Sequence, residues 1–411
     1  MAEGRLSSLF DYPYRRLNAL MEGVLPPEGV QPIPVHIGEP QGAPPPMIAR
    51  IVAESEALWG RYPPPAGSPD YRKAAASWCE RRFGLTAGSV NPDTQLTAVN
   101  GTREALFQAA LLAVARKDGA TEKPVILLPN PLYHVYFGAA LMAGAEPYPV
   151  ACTAEHGFLP DYDSVPEAVW NRTAMAYLCT PANPTGGVAS LERLTDLLRR
   201  CRAVDAILAS DECYAEIWRD EPPAGGLQAA EALGGGWANL LIFHSLSKRS
   251  GAPGMRCGFV AGDAELLAPF SMLRGYGGAQ VPGPILAAGA ALWRDDAHVE
   301  EQREKYRRLW RIAENHLLGL PGVVFPDAAF FLWLDVGDGE AFTRRAWAEE
   351  GVKLMPGRYM SRPTDDGSTP GDRFVRVALV HDEASVDELC GRLARLIRSS
   401  NRAGASDGAE R

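Results

Sequence analysis

The sequence predicts an α/β fold, a large layered body built on a mainly parallel sheet with a smaller α+β body following it. Three observations predict it. Short apolar runs of four to eight residues alternate with amphipathic helical stretches, the pattern of strands buried on both faces between crossover helices. Several of those runs end in polar residues, and in such sheets ligands gather at the carboxyl ends of the strands. After about residue 284 the pattern changes to one long charged helix, three strand-like runs and a closing helix.

The elements follow in order. Residues 1–45 are proline-rich ("LPPEGVQPIPVHIGEPQGAPPP") and read as an extended arm with one short strand at 33–37. Helices are expected over 46–59 and 69–83. "QLTAVNG" reads as a strand and turn, and a helix follows over 103–116. "PVILLP", "AEPYPVA", "TAMAYLCTP", "AILASDE" and "NLLIFHSL" read as strands, with helices at "LYHVYFGAALMAG" and "SLERLTDLLRRCRAV". The large body is thus placed at 46–284. The smaller one, at 285–398, holds the helix 298–320, the strands "AFFLWLDV", "GVKLMP" and "FVRVALV", and the helix "SVDELCGRLARLIRSS". The small, polar residues 399–411 read as a disordered tail.

Composition narrows the function. Apolar residues at 46% and charged residues at 22% are ordinary for a globular protein. A net charge of −9 argues against a nucleic-acid binder. Seven dispersed cysteines without CxxC pairs or histidine partners at zinc spacing point to reduced thiols, with no metal site. The N-terminus has no long apolar segment, and no run approaches the ~20 residues that span a bilayer. A cytoplasmic protein without a membrane partner is expected.

Four clusters sit where strands give way to turns: "NGTREAL", "CTPANPTGG", "ASDECYAEI" and "FHSLSKRSGAPGMRCG". Each has an ordinary reading as a cap, a turn or a solvated loop. Together they describe one ligand. Gly101 and Thr102 offer a helix N-terminus to a phosphate, with Ser245, Ser247 and Arg256 as further donors. Asp211 could pair with a cationic ring nitrogen, and Asn183 and Tyr214 could bond a ring oxygen. Lys248 would be the amine that condenses with an aldehyde. Phosphate, pyridinium, phenolate and aldehyde together make pyridoxal 5′-phosphate.

With "GEP" (38–40), "RYPPPAG", "NGTREA", "NPLYHVY", "PANPTGG", "SDECY", "SLSKRSGAPGMRCG" and "RVALV" in this order, the chain resembles the class I/II aminotransferases of fold type I over residues 11–398. The resemblance implies a seven-stranded sheet and pyridoxal 5′-phosphate held through Lys248. Asp211, Asn183 and Tyr214 would contact its ring, and Thr102, Arg103, Ser245 and Arg256 would form the phosphate cup. Tyr133 would stack on the ring. Tyr62 would reach the neighbouring subunit's phosphate, which implies a homodimer with shared active sites. Arg376, helped by the Gly38 backbone, would clamp the substrate α-carboxylate, a structural salt bridge being the alternative. Lys248 should then titrate well below an ordinary lysine.

The string "SLSKRSGAPGMRCGFVAGD" is most similar to the N-succinyldiaminopimelate aminotransferases of bacterial lysine biosynthesis. That implies transamination between N-succinyl-LL-2,6-diaminopimelate and 2-oxoglutarate, with Arg249, Lys353 and Arg358 as candidate cations for the distal carboxylates. Residues 278–284 and Arg358 depart from the subgroup's pattern. Acetylornithine-, aspartate- or glutamate-type transamination and a β-lyase are the rival enzymes. A cofactor-sensing transcriptional regulator would need a DNA-binding module ahead of Gly38, where only a proline-rich arm stands. A dinucleotide dehydrogenase would need a GxGxxG after an early strand, and there is none.

Overall fold

The computed structural model describes residues 4, 6, 9, 12–364, 367 and 369–407. Its strands are β1 (Ile33–Pro34), β2 (Leu96–Val99), β3 (Val125–Asn130), β4 (Glu146–Ala151), β5 (Thr173–Cys179), β6 (Ile207–Asp211), β7 (Leu240–Ser245), β8 (Gly258–Gly262), β9 (Phe331–Asp335), β10 (Val352–Lys353), β11 (Met355–Pro356) and β12 (Phe374–Ala378). Seven of them form one sheet in the order β2-β8-β7-β6-β5-β3-β4, in which β8 alone runs against its neighbours. β9, β11 and β12 form an antiparallel sheet of three, and β1 pairs with β10.

The central strands are buried on both faces, so their side chains divide by the period of two. Leu127, Leu178, Leu208 and Ile242 enter one core with Trp78, Phe259 and Trp293. Ile126, Leu128, Tyr177, Ile207 and Phe243 enter the other, with Leu106 and Tyr136. A third core, around Tyr306, Trp310, Phe330, Leu354 and Leu393, belongs to the antiparallel sheet.

The helices carry the local signals expected of them. Over Pro69–Phe83, Ser68 caps the N-terminus by accepting from Tyr71 N at 3.2 Å, proline opens the first turn, and Gly84 closes it at φ 61°. The helix Leu191–Ala203 buries Leu194, Leu197, Leu198 and Cys201, one stripe against the sheet.

Four expectations change. The helix Gly283–Arg294, assigned above to the smaller body, packs Leu286, Ala290 and Trp293 into the large-sheet core. "GVKLMP" is not one strand: it breaks at Leu354, β10 pairing with the arm and β11 with β12. The segment 46–59 is a helix only over Met47–Glu54, followed by a 3-10 turn over Glu56–Gly60. The last helix runs from Glu383 to Asp407, past the start of the expected tail. Arg345 holds the helix across the start of that tail, donating to the Leu396 carbonyl and to the hydroxyls of Ser399 and Ser400. Residues 408–411 lie outside the described residues.

Candidate active site

The carboxyl ends of β3, β5, β6 and β7, with the start of the helix Thr102–Ala115, open into one cavity of about 670 Å³. The arm closes it with Gly38, and the antiparallel sheet closes it with Phe331 and Arg376. Of the cofactor and α-carboxylate residues named from the sequence, all but Gly101 and Tyr62 line it.

Lys248 sits in a single helical turn, Leu246–Arg249, that caps β7. Its Nζ donates to the Gly38 carbonyl at 2.5 Å and lies 5.3 Å from the Phe330 ring centre. Burial lowers its pKa to about 8, with Arg376 and Arg256 adding to the effect. An appreciable fraction of this amine is therefore unprotonated near neutrality.

Asp211 ends β6 and is 4% exposed. Tyr136 donates to its Oδ2 at 2.6 Å and the Cys213 N–H to its Oδ1 at 3.3 Å. Burial pushes this carboxyl upward, and the two donors pull it back. Among the described residues no lysine or arginine pairs with it. A buried carboxylate on a cavity wall is costly without a cationic partner, so the site suits a ligand that presents a protonated nitrogen there.

An anion cradle lies in the same cavity. Ser245 Oγ accepts from Ser247 N at 3.1 Å and lies 2.9 Å from Ser247 Oγ. Arg256 donates to the Asn100 and Pro253 carbonyls at 3.2 and 3.0 Å, and its guanidinium lies against Gly101. A Cβ at Gly101, where φ is 76°, would lie 2.3 Å from Arg256 Nη2. Gly101 thus shapes the cradle from outside the cavity. The first-turn N–H groups of the helix that follows supply further donors. Cradle, carboxylate and amine fit a phosphorylated pyridine aldehyde.

Arg376 on β12 is 4% exposed, and its guanidinium stands 4.6 Å from the Phe331 ring centre. It donates to Asn183 Oδ1 at 2.8 Å and to the His36 carbonyl at 2.7 Å. Among the described residues it has no carboxylate partner, so the salt-bridge alternative fails and the cation remains available to an anion in the cavity. Tyr214 is 7% exposed, edge-on to Phe330 and Phe331, and burial pushes its hydroxyl well up. The Tyr133 hydroxyl accepts from Arg103 Nε at 2.7 Å. The Arg103 side chain thus turns to Tyr133.

The other expected cations lie elsewhere. Arg249 is buried between Trp78 and Trp293 and donates to the Leu292 carbonyl at 2.7 Å. Arg358 is exposed and pairs with Asp372 and Glu340. Lys353 donates to Asn18. Tyr62 is 99% exposed and meets no part of this chain's cavity. Sequence reasoning missed Tyr136 and Cys213. Tyr136 follows the cavity-lining Tyr133 by three residues, nearly one helical turn, and that spacing was the available signal.

Among the described residues no metal-binding cluster occurs and no helix is long and apolar enough to cross a membrane. The model of the family "Aminotransferase class I and II" matches residues 31–393. An LL-diaminopimelate aminotransferase of Nitratidesulfovibrio vulgaris is 31% identical over 403 residues, 95% of this chain and 98% of the relative. A 4-dedimethylamino-4-oxo-anhydrotetracycline transaminase of Streptomyces rimosus is 32% identical over 369 residues, 89% of this chain and 94% of the relative. Among solved structures, an aminotransferase from Neisseria meningitidis superposes with a TM-score of 0.91 at 39% identity, covering 96% of this chain and 99% of that one. A probable N-succinyldiaminopimelate aminotransferase from Thermus thermophilus gives 0.78 at 26% identity, covering 96% and 100%.

Proposed function

The chain belongs to the class I and II aminotransferases, whose cofactor is pyridoxal 5′-phosphate, and we propose that it moves the amino group of N-succinyl-LL-2,6-diaminopimelate to 2-oxoglutarate. The observation that carries the proposal is a buried arginine without a carboxylate partner among the described residues, Arg376, in the same cavity as the Lys248 amine, whose pKa burial lowers to about 8. The subgroup motif around Lys248 and the name of the Thermus thermophilus neighbour support the succinylated donor.

In this reading the cradle of Ser245, Ser247, Arg256 and the helix start at Thr102 holds the phosphate. Asp211 would keep a proton on the ring nitrogen, Asn183 and Tyr214 would bond the ring oxygen, and Tyr133 would cover the ring. When bound, the cofactor supplies an electron-withdrawing ring that stabilises negative charge at the substrate α-carbon. Arg376 grips the α-carboxylate through its guanidinium fork, and Asn183 fixes the arginine's rotamer. That grip sets which bond at the α-carbon faces the ring. The Lys248 amine would take the proton from the substrate α-carbon, as an amine with a pKa of about 8 can do near neutral pH. Phe330, Phe331 and Tyr214 limit water around the amine.

The nearly complete exposure of Tyr62, with Trp59 and Tyr276 also exposed, supports a homodimer in which Tyr62 serves the neighbouring site. Seven unpaired thiols support a cytoplasmic setting.

A second reading, free LL-diaminopimelate as donor, is favoured by the names of relatives 30–32% identical. Single-turnover spectra with N-succinyl-LL-diaminopimelate, LL-diaminopimelate, acetylornithine, aspartate and glutamate separate the readings. The proposal expects fast conversion of the cofactor's visible band by the succinylated donor and by glutamate. Faster conversion by the free diamine would replace it with the second reading.

A further inference from the structure

A second cavity, of about 540 Å³, adjoins the first, and the two share Pro13, Arg103 and His134 in their walls. Its surface is largely apolar, with Phe107, Leu111, Phe137 and Leu273 contributing. Two cations stand on it, Arg103 and Arg362, the latter 4.4 Å over the Phe137 ring. The acidic side chain on its wall, Glu104, is already held by Arg274 at 2.6 Å. Among the described residues Arg103 has no carboxylate partner, its guanidinium bonding only the Tyr133 hydroxyl. His134, at the junction, is kept neutral by burial and by the positive field of Arg103, Arg362 and Arg376. Apolar walls with a positive field and a neutralised acid suit an anion at the end of a methylene chain.

We infer that this second cavity seats the far end of the amino donor, an acyl or alkyl chain ending in a carboxylate that Arg103 receives. The inference rests on the transaminase reading, which places the donor's reacting end at Arg376. It replaces Arg249, Lys353 and Arg358 as the source of the distal cation.

The test is calorimetric titration of the holoenzyme with glutarate, pimelate and azelate, unreactive dicarboxylates of increasing length. Affinity should rise up to about tenfold for each added pair of buried methylenes. Leu273→Trp, which fills the cavity, should abolish the gain for azelate, and Arg103→Met should reduce azelate affinity about tenfold while affecting glutarate less. Retention of the cofactor's visible band by Leu273→Trp, whose site lies on the second cavity only, checks that the fold and first cavity are intact. Affinities that are flat with length, or an azelate affinity unchanged in both variants, would overturn the inference. The length series needs no turnover. If the succinylated donor is not converted while the series holds, the substrate proposal fails and the subsite stands.

Discussion

Tyr136 donates its hydroxyl hydrogen to Asp211 Oδ2 across 2.6 Å, with Tyr136 fully buried and stacked on Tyr177 at 4.4 Å. The bond holds the carboxylate at the end of β6 in one orientation and opposes the upward push of burial on its pKa. Tyr136→Phe removes that opposition, so Asp211 takes up a proton at higher pH. The acid limb of the kcat/KM profile should move to higher pH. The rate should fall about ten- to a hundredfold, as expected for losing a hydrogen bond to a charge. A variant with a normal pH profile would show that Tyr136 only fills space.

Lys248 carries a second pH signature. With its pKa near 8, the amine loses its proton well before an ordinary lysine at 10.5 does. The rate at which the apoprotein takes up pyridoxal 5′-phosphate should therefore climb with pH through 8 and level off above it. A rate still climbing at pH 10 would mean that burial does not act on this amine as described.

Gly101→Ala should damage the anion cradle. The backbone there, at φ 76° and ψ 160°, is a conformation kept almost entirely by glycine, and the new methyl group meets Arg256. We expect a destabilisation of about 1–3 kcal/mol and a weaker hold on the cofactor. Equilibrium dialysis measures the second effect, and an affinity equal to wild type would contradict it.

Away from the site, Glu216 bonds Arg303 Nη2 at 2.7 Å and pairs with Arg82 at 3.4 Å, all three side chains at least largely buried. Glu216→Ala leaves the buried Arg82 without a carboxylate among the described residues and Arg303 with only the more exposed Glu300. The cost should be about 3–5 kcal/mol, visible as an earlier denaturation midpoint. A loss below about 1 kcal/mol would place the cluster with ordinary surface pairs.

Much of this was legible in the sequence because strand ends are marked. Asp211, Ser245 and Asn183 each follow an apolar run whose burial on both faces fixes where the polar residue emerges. Direction is harder to read. Arg249 follows Lys248 in a helical turn, where successive side chains diverge by about 100°, so the neighbour of a cavity residue points to Trp78 and Trp293. Arg358 follows the β11 strand but faces solvent, where Asp372 and Glu340 capture it. Tyr136 carries no such mark, because its helix, His134–Ala143, is apolar around it. Only the fold brings it under Asp211, seventy-five residues later in the chain.

The most direct test of the central claim, that this cavity holds pyridoxal 5′-phosphate on Lys248, is borohydride reduction of the holoenzyme followed by peptide mass mapping. The account predicts the reduced cofactor on the peptide containing Lys248 and loss of the label in Lys248→Ala. Label on another lysine, or none on a protein saturated with cofactor, would contradict it.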